Sequence, residues 1–142
     1  MLALSGDDNY PYAVPVSYAY DGYKLYFHCA KSGHKIDAIR RNAKASFCVI
    51  DQDLVVPEEY TSYFRSIIAF GTIRILEDSQ EKREAIEKLA VKYAPDDNDA
   101  HRQAAIDRDW VPLCMLEMTI EHMTGKEAKE LIKEKQQGNK SC

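Results

Sequence analysis

Pro11-Tyr-Ala-Val-Pro-Val-Ser-Tyr-Ala-Tyr-Asp-Gly22, followed by Tyr23-Lys-Leu-Tyr-Phe-His-Cys29, is the stretch on which the fold turns. Tyr12, Val14, Val16, Tyr18 and Tyr20 alternate with Ala13, Pro15, Ser17 and Ala19, the period of two that marks a β-strand. One face of that strand is large and apolar, and the other carries only small residues. Pro15 has no N–H to give to a neighbour, so it belongs at a sheet edge, a bulge or a rim. Asp21-Gly22 supplies the two-residue turn of a hairpin. The return strand from Tyr23 to Cys29 sets Tyr23, Leu25, Phe27 and Cys29 on one face and Lys24, Tyr26 and His28 on the other.

Outward from the hairpin, Ser32-Gly33 breaks the strand. A short helix follows from His34 to Asn42, with Ile36, Ile39 and Ala43 on one side. A third strand is expected over Ala45–Ile50, then an acidic segment, then a β-branched and aromatic strand over Phe64–Leu76 with Gly71 as a bulge or close-packing point. Asp78 with Glu81 has the spacing of a capping box, opening a helix whose stripe is Ile86, Leu89, Ala90 and Tyr93 and which Pro95 ends. Asp96–Asp109 reads as a loop or a weak helix. Leu113–Met123 is a last strand, and Thr124 with Glu127 caps a final helix. About five strands with segregated helices and no βαβ alternation indicate an α+β domain built on an antiparallel sheet or barrel. Residues 1–135 form a single domain and 136–142 a frayed tail. Met1–Ser5 reads as the end of a strand, so a further segment is expected upstream of it.

The chain has 142 residues, a length suited to one domain able to bury its own core. Its longest apolar run, Ile67–Phe70, is four residues, far below the ~20 of a membrane-spanning helix. No basic segment followed by an apolar one opens the chain, so a cytoplasmic location is expected. Cys29, Cys48, Cys114 and Cys142 form no CxxC pair, which leaves reduced thiols and no metal site as the expectation. The net charge of −4 argues against a nucleic-acid binder. Lys31, Lys35, Arg40, Arg41 and Lys44 against Asp37 nevertheless give a local +4 (five minus one), suited to a small anion. His101 and His122 read as surface residues and Trp110 as a core anchor.

The loop Cys29-Ala-Lys-Ser-Gly-His-Lys35 leads into a helix N-terminus, whose free N–H groups and dipole favour an anion. Ser32 adds a hydroxyl, Gly33 allows close approach of the backbone, and Lys35 adds a point charge that suits phosphate. Beside it, the small face from Ala13 to Ala19 offers a flat shelf for a planar ring. A phosphate cradle next to a shelf is what a phosphorylated aromatic cofactor needs.

These stretches, with Ile39-Arg-Arg-Asn42, Tyr63-Phe-Arg-Ser-Ile-Ile-Ala-Phe-Gly71, Glu77-Asp78 and Thr124-Gly-Lys126, resemble the FMN-binding split-barrel family. The similarity is to its pyridoxamine 5'-phosphate oxidase-like branch, which contains the Nim-type nitroimidazole-resistance proteins, and it runs in order from Met1 to Ala128. The resemblance implies a six-stranded split barrel, a homodimer, FMN at the subunit interface and reduction of a small-molecule acceptor by the flavin. It implies that Val14, Pro15, Val16 and Ser17 contact the isoalloxazine and ribityl chain, that Phe27 and His28 lie beside them, and that His34 and Lys35, with Ser32, hold the phosphate. Ser66 and Ile67 would reach the flavin from the partner subunit. A histidine at the position of His28 lies close to the reactive flavin in the Nim-type branch, which makes His28 the candidate catalytic proton donor. The chain departs from the family in placing His34 where Arg commonly precedes the phosphate-binding lysine, so the bidentate fork is lost. The substrate end of true pyridoxamine 5'-phosphate oxidases is not recognisable, so vitamin B6 oxidation is not expected. The alternatives are a non-catalytic flavin-binding or storage protein, and a split barrel holding another flat ligand such as haem or a deazaflavin.

Overall fold

The computed structural model describes residues 1–132; the frayed tail expected over 136–142, with Cys142, lies outside them. The chain forms β1 (Leu2–Ser5), β2 (Pro11–Val14), β3 (Tyr18–Tyr20), β4 (Lys24–Ala30), α1 (His34–Arg41), β5 (Lys44–Val56), β6 (Thr61–Ile75), α2 (Ser79–Tyr93), α3 (Asp99–Asp109) and β7 (Leu113–Glu127). Short 3-10 turns at Asp7–Asn9 and Pro57–Glu59 complete it. All strands pair antiparallel in one seven-stranded sheet of order β2-β1-β5-β6-β7-β4-β3. The α+β class expected from the sequence is present. Where the resemblance implied a six-stranded split barrel, the described residues form seven strands in a sheet that does not close.

The reason lies in the opening stretch. Tyr12–Tyr20 is not one strand but two, broken at Pro15–Ser17. Its first half pairs with β1, Leu2 opposite Val14, and its second half with β4, Tyr18 opposite Phe27. The two ends of the sheet are therefore consecutive in the chain. Val14 and Tyr18 are four residues apart, so the ends cannot lie more than about 14 Å from each other. The sheet curls over one core in which Tyr18 of the last strand meets Phe47 of β5, ring centroids 5.0 Å apart, and Phe27 meets Phe47 at 4.9 Å. Pro15 sits in the break, where its missing N–H costs no ladder bond. The turn differs by one residue from expectation. Asp21 N–H donates to the Lys24 carbonyl, so the two central residues are Gly22 and Tyr23, with Gly22 at φ 98° as a II′-type turn requires.

Two strands run longer than the sequence suggests. β5 continues through the acidic stretch to Val56, and β7 continues through Thr124–Glu127, so the expected cap there is strand and the final helix begins at residue 129. β5 and β6 thus project as a two-stranded arm past Arg65, where β7 stops pairing. Arg65 pins the root of the arm through Asp51 and Glu127. Asp96–Asp109 contains the helix α3, capped by the Asn98 side chain, which accepts from His101 N–H. α2 starts as expected, the Asp78 carboxylate accepting from the N–H groups of Gln80 and Glu81. Its buried side is Lys82, Ala85 and Leu89, and Tyr93 is exposed. Trp110 is a cation platform rather than a core anchor: Lys82 Nζ lies 4.1 Å and the Arg83 guanidinium 4.8 Å from its ring centroid.

One buried charge ties α2 to the sheet. Glu117, only 6% exposed, accepts from Lys24 Nζ at 2.9 Å and Arg74 Nε at 2.8 Å, and Arg74 reaches on to Glu81 in the first turn of α2. Burial alone would raise the Glu117 carboxyl, but the bonds from Arg74 and Lys24 outweigh it and hold it below its ordinary value of 4.5. A carboxyl depressed in the folded state adds stability above its unfolded pKa and loses it as pH falls through the folded value. The unfolding midpoint should therefore drop as the pH falls below the ordinary value of 4.5, and Glu117→Gln should flatten that slope. Equal acid sensitivity of the two proteins would show that this cluster does not carry the effect.

Candidate functional site

β4 and α1 meet at one corner of the molecule. The register puts Tyr18 opposite Phe27, so the next residues outward are Ser17 on one strand and His28 on the other. The break Val14–Ser17 and the end of β4 therefore run side by side, and the loop 31–33 turns from them into α1. Gly33 starts that helix at φ 120°, a conformation costly for other residues, with no atom within 4 Å of where a Cβ would stand. Among the described residues no side chain caps α1. The Gly33 carbonyl accepts from the N–H groups of Ile36 and Asp37, and among the described residues the N–H groups of His34 and Lys35 find no acceptor. Ser32 is exposed, and Lys35, half-buried, makes no ion pair among the described residues. Two free amides, a hydroxyl and an unpaired ammonium at one helix start fit a phosphate.

His34 differs from its neighbours. Its Nδ1 lies 3.1 Å from Asp7 Oδ2, and its ring packs edge-on against Tyr12 with centroids 4.6 Å apart. Asp7 also pairs with Arg41, one of the cations that give the segment its local positive charge. The loop that carries Asp7 has Asp8 and Asn9 at φ 51° and 63°. Sequence reading missed Asp7 because nothing in its local pattern shows that the turn after β1 folds back onto α1.

The remaining residues divide between two places. Val14 and Val16 are half-buried against the core, and Pro15 and Ser17 are exposed, as a shelf requires. Phe27 is fully buried, its ring spent on the core beneath the corner. His28 is exposed on the opposite face of β4, with no hydrogen bond or ion pair among the described residues, and it opens into a cleft between α2 and α3. Ser66 and Ile67 stand on β6 at the root of the arm, Ser66 paired with Ile50 and Lys126. Ile67, 46% exposed, borders with Tyr18 an apolar opening of about 160 Å³. Within one chain they are not part of the β4–α1 corner.

Two residues of α2 that sequence reading did not single out hold the strand beside the shelf. Tyr93 Oη accepts from the Tyr18 N–H at 3.1 Å, and Lys92 Nζ donates to the Tyr18 carbonyl at 2.8 Å. They satisfy the open edge of β3 in place of another strand. The available signal was the spacing of Lys88 and Lys92, one turn apart: Lys88 bonds Asp21 and Tyr26 of the same hairpin. Cys29 and Cys114 face each other across β4 and β7. Burial, then the Cys114 thiol opposite, push the Cys29 thiol up to about 12, which leaves it unreactive.

Residues 1–127 match the model of the pyridoxamine 5'-phosphate oxidase family. The chain belongs to that family. Solved structures with the same fold include a protein of Bacteroides thetaiotaomicron named for 5-nitroimidazole antibiotic resistance, 23% identical over 87% of this chain and 73% of that one, TM-score 0.69. An FAD- and haem-binding protein of Mycobacterium smegmatis is 20% identical over 90% of this chain and 64% of its own, TM-score 0.70. An FAD-binding protein of Mesorhizobium loti is 22% identical over 90% and 84%, TM-score 0.63. At these identities the likeness is one of fold. No curated protein matches the chain. The pyridoxamine 5'-phosphate oxidase family thus accounts for the open, curled sheet, and no described helix is long and apolar enough to cross a membrane.

Proposed function

We propose that this chain is an FMN-dependent oxidoreductase that works as a homodimer and reduces a small acceptor. The observation that carries the reading is the β4–α1 corner, where a phosphate cradle with two free amides adjoins the exposed strand break Val14–Ser17. Ser32, Lys35 and the amides of His34 and Lys35 would hold the phosphate, with His34 beside them on Asp7. Val14, Pro15, Val16 and Ser17 would carry the ring and ribityl chain. Bound FMN supplies two-electron reduction there. His28 supplies the proton: its imidazole is solvent-accessible and, among the described residues, has no hydrogen-bond or ion-pair partner.

The arm supports the dimer. A two-stranded ribbon is marginal in water by itself, and this one exposes Ile50 (63%), Leu54 (55%), Val55 (66%) and Tyr60 (98%). Covering it with a second copy would bring the partner subunit's Ser66 and Ile67 to the flavin. A haem in place of flavin has support in the M. smegmatis neighbour, which binds both, and its sharp Soret band would distinguish it. Titrating purified protein with FMN tests the cofactor. His28→Ala should then retain FMN uptake while acceptor-dependent reoxidation of the reduced flavin slows about 10²–10⁴-fold, the range of a lost general acid. An unchanged rate would remove His28 from the chemistry.

A further inference from the structure

The cleft that His28 opens into has a volume of about 350 Å³, within the range of small-ligand sites. Its floor and walls are apolar, with Ile86, Ala90, Ala105, Ile106 and Leu113 among them. It stays open for a structural reason. α3 buries only Ile106, and its grip on α2 is polar and lies elsewhere, Arg83 bonding Gln103 and Asp107, and Gln103 bonding Glu87. Ala90 and Ala105 are too short to fill the space between the helices. The charged groups at the rim are already satisfied. Asp97 accepts from His101, Arg102 bonds the Asp97 carbonyl and Asp99, and Asp109 pairs with Arg108. Tyr93 Oη is occupied by Tyr18. The His28 imidazole is left as the one uncommitted polar side chain of the cleft among the described residues.

We infer that the α2–α3 cleft binds the acceptor, and that the acceptor is a neutral, flat aromatic molecule with a carbonyl oxygen at its edge, the class of the naphthoquinones. An apolar slot with paired rim charges rejects ions, which would be desolvated without a partner. One free donor selects one acceptor oxygen. The inference rests on the proposed oxidoreductase reading for its consequence: bound reduced FMN would supply a hydride equivalent, two electrons and one proton, and His28 would deliver the second proton, so that the quinone leaves as the quinol. Binding itself does not require flavin.

The test uses 2,3-dimethyl-1,4-naphthoquinone, whose methylated ring positions resist thiol addition, and follows side-chain NMR signals of the full chain with and without FMN. The quinone should shift His28, Ala90 and Ala105 in both states. Ala105→Leu and Ala90→Leu should weaken its binding at least 10-fold at unchanged melting temperature and FMN affinity. Shifts confined to the apolar opening around Tyr18 and Ile120, quinone binding unaltered in both folded variants, or displacement of the quinone by FMN would each overturn the assignment. Absence of FMN binding with the quinone still in the cleft would instead sink the flavin reading alone.

Discussion

Gly71→Ala is expected to lose a large share of the protein's stability. A Cβ at position 71 would stand 1.9 Å from the Thr119 carbonyl oxygen and 3.2 Å from the Ile120 Cα. Both obstacles are backbone of the neighbouring central strand, so neither can swing aside. The position is also where the β6–β7 register shifts, between Phe70 and Gly71, so relieving the clash means re-pairing two central strands. Overpacking of this kind should cost more than ~3 kcal/mol, a large share of a typical domain's 5–15. Gly125→Ala on β7 is the control, its nearest contact being Ser66 O at 3.9 Å. Urea unfolding should separate the two widely. Similar midpoints would mean that the strands do not approach at Gly71 as described.

Ile67→Asp should split the dimer and release flavin with it. Ile67 is 46% exposed in the single chain, at the root of the arm. Burying the exposed half of an isoleucine contributes about half of the roughly 1.5–3 kcal/mol of full burial, and a two-fold interface counts it twice. An aspartate there forfeits that and adds the cost of desolvating two carboxylates, so the dimer constant should weaken by more than ~10³-fold. FMN retention should fall in parallel, because the partner subunit would no longer complete the site. Val111→Asp, more exposed to solvent at 75% and outside the arm, should stay dimeric. Sedimentation equilibrium checks both variants, and an Ile67→Asp dimer of unaltered strength would place the interface elsewhere.

Most of the local structure could be read from the sequence because it rests on short-range chemistry. The β3–β4 hairpin follows from alternation and Gly22, α2 from the Asp78 cap, the bulge from a glycine inside an apolar strand. What escaped depends on distant pairing. Nothing local shows that Tyr12–Tyr20 must leave one end of the sheet and join the other, although Pro15 marks where the ladder breaks. The acidic stretch 51–59 resembles a loop, yet Asp51 and Asp53 lie on β5 of a paired arm and Glu58 and Glu59 in the turn at its tip. Thr124 and Glu127 satisfy a capping pattern, but pairing with β6 outweighs it. At the candidate site the loop-to-helix corner was legible, since Ser32, Gly33 and Lys35 are contiguous with the helix they start. The hold of Asp7 on His34 and of Tyr93 on Tyr18 was not, because both join elements far apart in sequence.

The central claim is that the β4–α1 corner binds FMN in a dimer. The most direct measurement is an absorbance titration of the purified protein with FMN, read together with its elution on a calibrated sizing column. The account predicts a yellow dimer holding one FMN per chain. A protein that stays colourless at saturating FMN, or that binds it as a monomer, would contradict it.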